Sequence, residues 1–154
     1  MSLLSFVHED IRIVRAINKL ANLIEGLIQN FSPPISYLVG ADSSVTTNSV
    51  SFVLMPGMTV TPSAGTYLVT FSGEMECLNS NVTMGVSIWS NNTIYSTSER
   101  YITDAGDVVF KTSFCSQARI QVNGSQAIEG RWKSSNAAVN IQSDHRQLTL
   151  IKVI

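Results

Sequence analysis

The sequence predicts a mainly β protein, an antiparallel jelly-roll sandwich preceded by one N-terminal α-helix. Three observations predict it. Apolar residues recur about every 3.5 positions before Pro33-Pro34 and about every second position after them. Neutral turn-forming residues are abundant, with 21 Ser, 12 Thr and 11 Asn among 154 residues, as in short strands joined by many turns. Only 14% of residues are charged, and 10 Lys and Arg stand against 11 Asp and Glu. That balance lacks the basic footprint of a nucleic-acid binder, so no nucleic-acid partner is expected. The length suits one core without disulfide or metal staples. No apolar run approaches the roughly 18 residues of a membrane span, so no membrane insertion is expected.

The helix comes first. Ile13, Ile17, Leu20, Ile24, Leu27 and Phe31 are spaced 4, 3, 4, 3 and 4 apart, a heptad seam that runs back through Asp10 to Phe6 and Leu3. Ser5 can cap it and Glu9 and Asp10 suit its first turns, so a helix over 6–30 is predicted, about 37 Å long at 1.5 Å per residue. With Ile17 and Ile24 at a, positions e hold Val14, Ala21 and Ile28, and positions g hold Ala16 and Leu23. A two-stranded coil would carry Glu and Lys there. A single amphipathic helix lying on its own domain is one reading. The wide apolar face favours a bundle of three or more chains, or a docked site on a larger assembly. Pro33 and Pro34 end the segment, giving residues 1–32 for trimerisation or anchoring and 33–154 for the β domain.

After the prolines, Tyr67, Val69, Phe71, Met75 and Cys77 alternate with Thr70, Ser72, Glu74 and Glu76, and Val82, Met84, Val86 and Ile88 with Thr83, Gly85 and Ser87. Further strands are expected over 36–40, 50–60 with an interruption at Pro56-Gly57, 93–102, 108–122, 126–133, 137–142 and 146–153. The last is apolar on both faces, so it is either central in the sandwich or buried against another copy.

Sites for chemistry are few. His8 and His145 are the only histidines, and no GxSxG nucleophile motif is present. Cys77 reads as a small buried hydrophobe, and Cys115 has the opposite parity from Phe110 and Phe114. The clusters at 104–107 and 143–146 read as turns, since Ca²⁺ wants six to eight oxygens. Glu74 and Glu76 read as a solvated face. No catalytic residue, cofactor or metal is expected. Trp89 and Trp132 read as packing residues, with a ligand or sugar anchor as the alternative. The start of the chain lacks a basic n-region and turns acidic at Glu9-Asp10, unlike a secretory signal, so synthesis in a reducing compartment is expected.

Gly65-Thr66-Tyr67-Leu68-Val69-Thr70-Phe71-Ser72 resembles the GxYxxxFS strand of C1q/tumour-necrosis-factor-like jelly rolls. Ile128-Glu129-Gly130-Arg131-Trp132, followed by Arg146-Gln147-Leu148-Thr149-Leu150-Ile151-Lys152-Val153, resembles the end of trimeric knob domains of bacteriophage virion proteins. The resemblance spans about residues 60–154. It implies a non-enzymatic homotrimer on the virion surface, assembled in the host cytoplasm. Its role would be a head-fibre or capsid decoration protein bound to other virion proteins. The alternatives are a receptor-binding fibre tip contacting a host surface glycan or protein, and a secreted C1q/TNF-like signalling ligand. In such knobs both termini sit at the base. Counting strands back from the last puts 143–145, 123–125, 90–92 and 62–65 at the tip and 134–136 and 103–106 at the base. Asn91, Asn92, Asn123, Asp144 and His145 are therefore the candidate tip-loop contacts.

Overall fold

A computed structural model describes residues 13–25, 36–77, 81–104, 106 and 109–153. The chain divides into two compact units, Met1–Pro34 and Ile35–Ile154. In the first, residues 13–25 are helical and all exposed. Ile13, Ile17, Leu20 and Ile24 lie 47–59% open on the heptad seam, and Val14 and Leu23 widen the apolar face to either side. The other seam positions, Leu3, Phe6, Asp10, Leu27 and Phe31, and with them the predicted ends of the helix, lie outside the described residues.

The second unit is a sandwich of two antiparallel sheets. Its strands are β1 (Ser36–Ala41), β2 (Val45–Thr47), β3 (Val53–Val60), β4 (Gly65–Cys77), β5 (Thr83–Ser90), β6 (Thr93–Ile94), β7 (Arg100–Thr103), β8 (Phe110–Val122), β9 (Ile128–Ser134), β10 (Ile141–Ser143) and β11 (Arg146–Lys152). β4 is the spine of the first sheet. β8 pairs with its whole length on one side, from Gly65↔Val122 to Cys77↔Phe110. On the other side β11 and β10 share it, and β1 and β2 complete the sheet against them. The second sheet runs β3-β9-β5, with β6 and β7 both on the outer edge of β5.

The alternation read from the sequence decides what is inside. Tyr67, Val69, Phe71, Met75 and Cys77 are fully buried, as are Met84, Val86, Ile88, Ile128 and, to within 1%, Trp132 from the facing sheet. Phe71 meets Phe114 edge to face, with ring centroids 4.9 Å apart. Burying each such side chain contributes about 1.5–3 kcal/mol. The 50–60 segment is interrupted as expected. Pro56 has no N–H to give the ladder and Gly57 takes φ 82°, so the pairing with β9 shifts between Leu54 and Thr59, and Met55 and Met58 both point into the core.

Three expectations are corrected. The 93–102 run is not one strand. A 3-10 turn at Ser96–Ser98 separates β6 from β7, because the Ser98 hydroxyl takes the ladder's place. It accepts the Ile88 N–H at 2.9 Å while Tyr95 N–H donates to the Ile88 carbonyl at 3.0 Å. The 143–145 cluster is not a chain reversal. β10 and β11 both run antiparallel to β4, so they are one strand line with Asp144 and His145 as two residues opposite Glu74, a bulge closed by Glu74 N–H donating to the His145 carbonyl at 2.8 Å. The third correction follows from the second. β1 starts and β11 ends at the same end of the sandwich as Gly65, Val122, Ile128 and Ser90. The loops at 61–64, 91–92 and 123–127 therefore lie at the end where β1 starts and β11 ends, and 134–136, 103–104 and 106 at the far end, the reverse of the count from the sequence.

Candidate interaction surface

β11 lies between β1 and β4, with Leu148 and Leu150 fully buried on its inner side. The outer side remains open. Strand register aligns Ser36, Ile151, Leu68 and Arg119 in one row, Leu38, Thr149, Thr70 and Gln117 in the next, and Gly40, Gln147, Ser72 and Cys115 in the third. Eleven of these twelve side chains carry no charge, Arg119 at the end being the exception. Leu38 is 64% exposed, Leu68 41% and Ile151 40%. A solvated face of an antiparallel sheet ordinarily alternates to charged or polar residues, so an uncharged four-strand face with exposed aliphatics reads as an interface.

Charge collects beyond the third row. The Lys111 ammonium lies 2.9 Å from Glu74, whose hydrogen bond and charge raise the lysine pKa. His145 Nδ1 lies 3.3 Å from an Asp42 carboxylate oxygen, both largely exposed. Beneath them the Arg146 side chain is buried, donating from Nε to the Pro56 carbonyl at 2.9 Å and from Nη1 to the Ser43 carbonyl at 2.5 Å. Burial pushes its guanidinium pKa down, against the opposing pull of Asp144 and Asp42. The bulge, Gly40 and Gly73 leave an open depression of about 530 Å³ there, lined also by Leu38, Asp42 and Arg146.

The structure separates the five candidate contact residues. Asn91 and Asn92 form the β5–β6 turn, with φ of 50° and 58°, and Asn92 Oδ1 accepts from Arg131 Nη2 at 2.9 Å. Asn123 Oδ1 accepts from both the backbone and the hydroxyl of Ser125. These three sit at the end where β1 starts and β11 ends, whereas Asp144 and His145 lie in the mid-strand bulge. Trp132 is core. Trp89 lies on the outer side of β5, half-buried, with the Arg131 guanidinium 4.4 Å from its ring centroid. Of the cysteines, Cys77 is buried inside and Cys115 exposed outside. Among the described residues no group of three His, Cys, Asp or Glu is placed to hold a metal ion, and no helix is long and apolar enough to cross a membrane.

The sandwich is similar to a solved tumour-necrosis-factor structure, that of Eiger TNF from S. frugiperda. The two share 12% identity with a TM-score of 0.55, over 80% of this chain and 94% of that one. At that identity the likeness establishes a TNF-like jelly-roll fold. No protein-family model matches the chain, and no curated protein matches its sequence.

Proposed function

We propose that this chain is a non-enzymatic structural protein that assembles as a homotrimer, using the outer face of the first sheet and the N-terminal helical seam. We further propose that it serves on a bacteriophage particle as a head-fibre or capsid decoration protein. The uncharged outer face of β1, β11, β4 and β8 carries the reading, since its exposed Leu38, Leu68 and Ile151 call for a partner surface of the same kind. The helix supports three chains over two because residues at e and g are apolar as well as those at a and d. The virion role rests on the resemblance of the 128–132 and 146–153 segments to phage knob domains. Asn91, Asn92 and Asn123 lie at the end of the sandwich where β1 starts and β11 ends, the end that the resemblance makes the base, which argues for decoration over a receptor-binding tip built from those loops.

Leu38→Lys combined with Ile151→Lys tests the reading. The double variant is expected to keep its β circular dichroism, because both side chains lie outside the core, and to fall to monomer mass. In particles it is expected to lose incorporation. A variant that stays assembled and is incorporated as wild type would overturn the proposal.

A further inference from the structure

The outer side of the second sheet carries a built aromatic platform that the assembly reading does not use. Strand register sets Tyr101 on β7, Gly85 on β5 and Lys133 on β9 side by side. Phe52, just before β3, lies beyond Lys133, its ring centroid 6.5 Å from Tyr101 and 6.0 Å from Trp89. Gly85 makes the floor. A Cβ there would stand 3.1 Å from Lys133 Cγ and 3.2 Å from the edge of the Tyr101 ring, so its absence lets both side chains lie low across the strand. The Lys133 ammonium sits 4.6 Å from the Phe52 ring centroid and 5.1 Å from that of Tyr101. Tyr101 is 52% exposed and is held in place by donating its hydroxyl to Glu99 at 2.6 Å.

Charge singles out the ligand. Arg131 is closed by Glu129 at 2.6 Å, Glu99 by Tyr101, and Arg100 by the carbonyls of Thr97 and Glu99. Among the described residues neither Lys133 nor Arg100 has a carboxylate within ion-pair distance, but Arg100 Nη1 is taken up by two carbonyls, whereas the Lys133 ammonium faces the rings of Phe52 and Tyr101. We propose that this platform binds an acidic saccharide, with Tyr101 and Phe52 taking the C–H face of a sugar ring and Lys133 its carboxylate. A pyranose presents an apolar face rimmed by hydroxyls, which suits partly covered rings bordered by Arg131, Glu129 and Asn92. Lys133 held between two rings has lost most of its rotamer freedom, so little further ordering is needed on binding. The site is independent of the virion assignment and of the trimer face, which lies on the other sheet.

The full-length protein is applied to a printed array of neutral, uronic-acid and sialic-acid oligosaccharides. The strongest acidic oligosaccharide and its uncharged counterpart are then titrated against tryptophan fluorescence, which Trp89 reports. Acidic oligosaccharides are expected to bind, with Lys133→Gln and Tyr101→Ala each weakening them about tenfold and Tyr101→Phe retaining binding. Thermal melting of each variant controls for folding. A silent array, equal binding of the uncharged counterpart, or binding unmoved by both variants would overturn the proposal.

Discussion

Gly73 shows how one residue can hold an element in register. It faces inward on β4 opposite Arg146, and a Cβ at this position would run into the His145 carbonyl oxygen and stand 3.0 Å from Arg146 Cα. The obstacle is backbone, which cannot swing aside. Gly73→Ala is therefore expected to cost about 1–3 kcal/mol, read as a lower denaturant midpoint with an unchanged slope. Tyrosines report their surroundings as directly. Hydrogen bonds from Ser63, from its hydroxyl and from its backbone N–H at 3.1 Å, stabilise the Tyr37 phenolate and lower its pKa. Tyr101 is shifted the other way, because its neutral hydroxyl donates a hydrogen bond to the Glu99 carboxylate, and burial and that carboxylate's charge both oppose a phenolate. An ultraviolet-absorbance titration is expected to show Tyr37 ionising at lower pH than Tyr101, with Tyr37→Phe removing the earlier step and Tyr101→Phe the later one. At this scale the sequence tells the inward apolar residues from the outward polar ones, because alternation depends only on strand geometry. It hides the buried hydroxyls. Ser87, Ser98 and Ser116 are fully buried, and Ser116 donates to the Ser98 carbonyl, yet a serine reads as surface wherever its partner is distant in the chain.

Among the elements, the sequence is clearest where one strand runs uninterrupted. β4 and β8 are each thirteen residues long and their faces follow parity from end to end. The line from β10 to β11 is harder to read. Inward positions are Ile141 and Ser143, then Arg146, Leu148 and Leu150, so the parity slips by one across Asp144-His145. A polar quartet of Ser, Asp, His and Arg reads as a turn when only local chemistry is weighed, whereas the parity slip with a continued inward pattern marks a bulge. The difference matters, since an extra reversal turns every upstream loop to the wrong end. Removing Asp144 separates the alternatives. With one residue deleted, His145 alone would oppose Glu74 and the strand would become regular with Leu148 and Leu150 still inward. The deletion is expected to leave the fold intact and stability within about 2 kcal/mol of wild type. A deletion that abolishes folding would favour a reversal over a bulge.

For the whole molecule, the two faces of the sandwich differ in kind. The first sheet turns outward three rows of largely uncharged residues with exposed aliphatics, Arg119 at one end and paired charges beyond the other; the second turns outward rings and paired charges. The jelly roll was legible in strand spacing, turn residues and the Gly65 to Ser72 pattern. The asymmetry between the faces was not, because it emerges only when register brings Leu38, Thr149, Thr70 and Gln117 into one row from four distant segments. An uncharged face depends little on salt, so assembly through it is expected to persist at high ionic strength. Light scattering coupled to size exclusion, on the full chain at micromolar concentration, decides whether this face is an interface. A species of three times the 16.8 kDa chain mass, unchanged in high salt, is expected. A monomer would contradict such an interface.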